Sequence, residues 1–149
     1  MAKQSKAAQK RAKEYRNRAN TRRVYLYEKT YLQSQTPLMS IDDCRKLAEK
    51  AWRGEGRSMK TFPVIKAGRG MRYMGRWFSY CDVNFRRNRI VLIPYHRRAV
   101  VVLHEITHAL GFYEHDRRFV RKHFELLSRY AGMDEGELVI NAAWFGIKV

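Results

Sequence analysis

Cysteine, acidic residues and long apolar runs are all scarce in this chain, and each shortage excludes something. Two cysteines, Cys44 and Cys81, are too few for a disulfide framework or a four-cysteine zinc site, and neither belongs to a Cys-x-x-Cys pair. They read as core thiols in a reducing compartment. No apolar run reaches membrane-spanning length, and the first residues lack the hydrophobic stretch of a secretory signal. A cytoplasmic protein without a membrane partner is expected. Acidic residues number 14 against 31 lysines and arginines, a formal net charge of +17. A surface of that sign is expected to attract polyanions, nucleic acid first among them.

What is present points to a folded body. Of the 149 residues 45% are apolar, with seven Phe, nine Tyr and three Trp. That length suits one domain with a real core and is too short for two of ordinary size. Residues 1–23 stand apart, with nine Lys or Arg against one Glu and almost no large apolar side chain. They are expected to form a basic N-terminal arm, helical on contact with DNA or RNA, leaving residues 24–149 as a single domain.

Within that domain, Val24, Tyr25, Tyr27, Tyr31 and Leu32 make a helical stripe around Glu28, ended by Pro37. Ser40 followed by Asp43 predicts a helix start, with Ile41, Cys44, Leu47, Ala48, Ala51 and Trp52 as its buried face and Gly54 at its close. Residues 57–98 turn β-rich. Thr61–Lys66, Arg76–Asn84 and Arg89–Pro94 read as strands, the last two joined through Phe85-Arg86-Arg87-Asn88. Helical periodicity returns from about Arg97 and again over Asp116–Tyr130, where Gly132 is the stop. The later residues Leu138, Val139, Ile140, Trp144 and Phe145 are expected to pack back on the body. The predicted fold is α+β: N-terminal helices, a small three-stranded mostly antiparallel sheet, a central helix and a closing C-terminal helix.

That central helix carries the chemistry. His104-Glu105-Ile106-Thr107-His108 places two imidazoles four residues apart, one turn apart on one helical face, where both can hold one metal ion. Glu105 projects from nearly the same face, placed to take a proton from water at that metal. Imidazole ligands and water activation without redox chemistry favour Zn2+. A third protein ligand is needed. Glu114, His115 and Asp116 lie just beyond Gly111, and His115 is the expected one, with His96 a weaker candidate before the helix. His123, on the apolar face of the later helix, reads as a core histidine.

The stretch HEITHALGF is similar to the zinc helix of the metzincin proteases, whose third histidine would fall at Glu114. A closer resemblance is to the SprT-like and minigluzincin-type metallopeptidases, in which a His-Gly-x-x-Phe-like element opens the next helix. His115-Asp116-Arg117-Arg118-Phe119 is similar, with Asp for Gly. TRRVYLYE, RIVLIP and VVVLHE further resemble small zinc metallohydrolases of actinobacteria and their phages, a similarity covering roughly residues 20–130. The resemblance implies that His104, His108 and His115 hold zinc, that Glu105 is the general base, and that the substrate is a polypeptide. An edge strand beside the metal helix would cradle such a chain. Two other functions compete. HEITHALGFYEH distantly resembles the signature of the YbeY-type zinc endoribonucleases, with Glu105 where they carry Gly. The third possibility is a nucleic-acid-binding protein whose zinc is structural.

Overall fold

Neither glycine nor proline interrupts the chain between Lys6 and Thr30, and Ala, Lys, Arg and Gln, all good helix formers, dominate its first half. In the computed structural model, which describes residues 6–73, 75–82 and 87–149, that stretch is one continuous helix, α1 (Lys6–Thr30). The expected boundary at residue 23 therefore falls inside a helix. Its N-terminal turns are exposed, while its last turns bury Val24, Tyr27 and Glu28. Residues 1–5 of the predicted arm lie outside the described residues.

Helix α2 (Ile41–Gly54) starts as its sequence requires: the Ser40 hydroxyl accepts the Asp43 backbone N–H at 3.0 Å. It buries Cys44, Ala48, Ala51 and Trp52. Among the described residues five short strands follow: β1 (Val64–Ala67), β2 (Met71–Tyr73), β3 (Arg76–Phe78), β4 (Tyr80–Asp82) and β5 (Arg89–Leu92). The main sheet has the order β1-β5-β4. It is mixed, with β5 parallel to β1 (Ile65 opposite Ile90) and antiparallel to β4 (Cys81 opposite Ile90). The predicted Arg76–Asn84 strand divides at Ser79. Its second half pairs with β5 as expected, whereas its first half turns back on β2 in a separate ribbon. Gly70 permits that ribbon: it has φ +74°, and a Cβ there would collide with the Phe78 carbonyl oxygen and Ile93. Val83 to Arg86, which include part of the predicted connection, lie outside the described residues.

Helix α3 (Ala99–Ala109) is the centre of the molecule, and every residue from Val100 to Thr107 is buried. Helices α1, α2 and α4 (Arg117–Ala131) and strand β4 enclose it. Asp116 caps α4 by accepting the N–H groups of Arg118 and Phe119, and Gly132 ends the helix in the left-handed conformation. Helix α5 (Glu135–Trp144) corrects one expectation. Leu138 and Ala142, one turn apart, face the core, whereas Ile140 and Trp144 lie on the opposite face, Trp144 being 85% exposed. The α+β class stands, neither Cys44 nor Cys81 is in a disulfide bond, and no described helix is long and apolar enough to cross a membrane.

Candidate metal centre

The spacing of His104 and His108 does what the sequence predicts, and the chain beyond α3 supplies the rest. Helix α3 ends at Ala109, and two residues on Gly111 turns the chain with a φ of +108°, which suits a residue without a Cβ. The Arg57 guanidinium donates to the freed Leu110 carbonyl at 3.0 Å. The turn that follows brings His115 back over the helix. The His104 and His108 Nε2 atoms are 3.1 Å apart, and His115 Nε2 lies 3.0 Å from His104 Nε2. His104, His108 and His115 thus converge on one point and are positioned to bind one metal ion. The other candidates are elsewhere: Glu114 is exposed and accepts a hydrogen bond from Asn17 at 2.9 Å, and Asp116 is occupied as a helix cap. His96 sits in a short 3-10 turn against Tyr95, outside the histidine group.

The partners of the other ring nitrogens fix the tautomers. His108 Nδ1 faces the Phe112 carbonyl oxygen at 2.8 Å, and a carbonyl can only accept. His104 Nδ1 lies 2.5 Å from Glu28 Oε1. His115 Nδ1 lies 3.4 Å from the Thr21 hydroxyl, whose single hydrogen is already given to the Asn17 carbonyl. Each Nδ1 therefore carries the proton, and three Nε2 lone pairs point at one another. Only a positive charge among them relieves that repulsion. Ligand nitrogens around a tetrahedral zinc would sit about 3.3 Å apart, close to the separations found. The donor set fits a divalent metal.

Electrostatics act in the same direction. Burial, and then the neighbouring His104, push the pKa of His108 down to about 3 and that of His115 down to about 2, so both rings stay neutral and free to ligate. Burial alone would raise the Glu28 carboxyl, but His104 and His123 outweigh it and hold it below the usual carboxylate range. Burial also opposes protonation of His104, yet the charge and hydrogen bond of Glu28 win and raise its pKa. Glu105 is buried, and burial, partly opposed by His104 and reinforced by Glu28, lifts its pKa to about 7. The floor of the centre is Phe119, fully buried, with ring centres 4.9, 4.7 and 4.6 Å from those of His104, His108 and His115. Tyr25 stacks on His104 from the side of α1 (5.4 Å, 26°).

Sequence reasoning missed the outer layer. The sequence marks Glu28 only as the centre of an aromatic stripe, although it is the sole acid between Glu14 and Asp42. That isolation was the available signal. Behind it, His123 is the buried core histidine expected, with Nε2 3.1 Å from the same Glu28 oxygen. Glu28, His104 and His123 also cluster tightly enough to suggest a second metal group. At 2.5 Å, however, the Glu28–His104 contact is a hydrogen bond with no room for an ion between its atoms. Nothing in the sequence marked Thr21.

Replacing the three candidate third ligands one at a time separates them. His115→Ala should lower metal affinity by at least tenfold, while Glu114→Ala and Asp116→Ala should leave it nearly unchanged, as read by competition with a chromogenic chelator. Equal losses in all three variants would reject His115 as the ligand.

Comparison of the chain with family models, with curated proteins and with solved structures gave no match.

Proposed function

We propose that the protein is a zinc-dependent metallopeptidase of the SprT-like or minigluzincin kind, with His104, His108 and His115 as zinc ligands and Glu105 as general base. The observation that carries this reading is the convergence of three imidazoles beside a buried carboxyl group whose pKa burial lifts to about 7. An all-imidazole donor set suits zinc. Bound there, the ion would supply a Lewis acid for a carbonyl and lower the pKa of water towards about 7.

The remaining chemistry belongs to the chain. Glu105 takes a proton from the attacking water as its oxygen bonds to the scissile carbonyl carbon. The same carboxyl then returns that proton to the amine nitrogen as the C–N bond breaks, leaving an amine and a carboxylic acid that loses its remaining proton to solvent. A pKa near the working pH suits a group that must both accept and release a proton. Phe119 shields the floor from water. Strand β4, at the edge of the described sheet and antiparallel to β5, packs against α3 and offers backbone groups to an extended peptide.

The net charge of +17 favours a second reading, hydrolysis of RNA at the same centre. One experiment addresses both. The zinc-loaded protein is incubated with fluorescently labelled unfolded casein and, separately, with labelled RNA. Casein should be cleaved, and Glu105→Gln should retain zinc while losing about 10²–10⁴-fold in rate. Cleavage of RNA with casein intact would select the nuclease. An unimpaired Glu105→Gln variant would remove Glu105 from the mechanism.

A further inference from the structure

Helix α1 has two parts with different surroundings. From Asn17 onward it lies on the body, where Asn17 and Asn20 hydrogen-bond Glu114 and the His115 carbonyl oxygen. From Lys6 to Arg16 every side chain described is exposed. Eleven residues at about 1.5 Å each make a helical rod of roughly 16 Å on the N-terminal side of Asn17. It carries Lys6, Lys10, Arg11, Lys13 and Arg16 against the single acid Glu14.

The distribution of those charges narrows the partner. At about 100° per residue, Lys6, Lys10 and Lys13 fall within about 60° of one another on one flank. Arg11 lies about 130° from their centre and Arg16 about 90° away on the other side. The rod is therefore cationic on three sides. A helix that lies on a membrane needs a broad apolar face, and the only apolar side chains described between Lys6 and Glu14 belong to alanines. A cation-studded helix suits instead a groove walled by phosphates. The major groove of B-form DNA, about 12 Å wide, admits a helix about 10–12 Å across, whereas that of A-form RNA is too deep and narrow.

We propose that the exposed N-terminal turns of α1, Lys6 to Arg16, dock in the major groove of duplex DNA through phosphate contacts. Binding has little sequence preference, because lysines and arginines aimed at the walls hold the backbone without reading base edges. Farther along the same helix stand Thr21, 3.4 Å from His115, and Glu28, hydrogen-bonded to His104, so one helix carries both the cationic rod and contacts to the metal centre. The inference does not depend on the reaction assigned above, since binding is measured without catalysis.

Fluorescence anisotropy with a labelled 20-base-pair duplex, from about 50 to 200 mM salt, provides the test. Each phosphate neutralised contributes about −0.9 to the slope of log affinity against log salt. The triple variant Lys6→Gln/Lys10→Gln/Lys13→Gln keeps a helix-forming residue at each position and should flatten that slope by about 2–3. Zinc content, unchanged in the variant, reports an intact body. Lys50→Gln/Arg53→Gln/Lys60→Gln removes the same charge from exposed positions elsewhere and should leave the slope nearly as it was. Equal flattening by both variants would reduce the interaction to bulk charge and overturn the proposal. So would an unchanged slope in the first variant, which would move the contact to the exposed Arg69, Arg72 and Arg76. Tighter binding to duplex RNA or to phosphatidylserine vesicles than to DNA would also overturn it.

Discussion

Replacing His104 and His108 together by alanine should leave a chain that no longer holds a metal ion and melts earlier. Two of the three converging nitrogens go, and His115 alone cannot hold zinc against water. An ion bound only by the folded state stabilises it by about 2.7 kcal/mol when its free concentration is a hundred times the Kd. For a domain of this size that amounts to about 5–10 °C in Tm. Equilibrium dialysis followed by elemental analysis should find about one zinc per parent chain and none in the double variant. The difference in Tm should shrink when both proteins are scanned in chelator, because the stabilisation belongs to the bound ion. Full zinc occupancy in the double variant would overturn the assignment of these ligands.

The parts of this centre that were legible in the sequence are those that local rules govern. His104 and His108 are placed by helical periodicity alone, and the apolar run Val100–Leu103 with Ile106 marks a helix that is buried on all sides from Val100 to Thr107. Gly111 and the Asp116 cap define a short connection, which confines His115 to the neighbourhood of α3. The Ser40 cap and the Gly132 stop were readable for the same reason. The sheet was less so. β5 is a continuous apolar strand and is legible as one, but its parallel partner β1 lies 22 residues away at the nearest ends, across β2, β3 and β4, and no local signal sets that pairing. The Arg76–Asp82 stretch divides because Ser79 leaves the strand path, and its hydroxyl oxygen accepts the Ile93 N–H, a tertiary contact. Glu28 and Thr21 are the extreme case. They act across 76 and 94 residues of sequence, so only the packing of α1 against α3 and the His115 turn reveals them.

Glu28→Ala should be the most damaging single change away from the three zinc ligands. The Glu28 carboxylate is buried and lies between two buried rings, 2.5 Å from His104 Nδ1 and 3.1 Å from His123 Nε2. Removing it strands both rings without the group that offsets their burial, a loss of about 3–5 kcal/mol for a broken buried pair. The Tm should fall by roughly 6–20 °C. Metal affinity should fall as well, by about 10–100-fold, because the carboxylate sets the His104 tautomer and makes its Nε2 more basic. Glu28→Gln separates the two effects. Its amide oxygen can still accept from His104, so most of the stability should return, while the lost negative charge should leave metal affinity below that of the parent. Glu14→Ala, an exposed acid on the same helix, should change neither quantity. Calorimetric scans and chelator competition on the three variants read both outcomes. Parent-like stability and metal affinity in Glu28→Ala would mean that His104 is held by its place on α3 alone, and that α1 contributes nothing to the centre it covers.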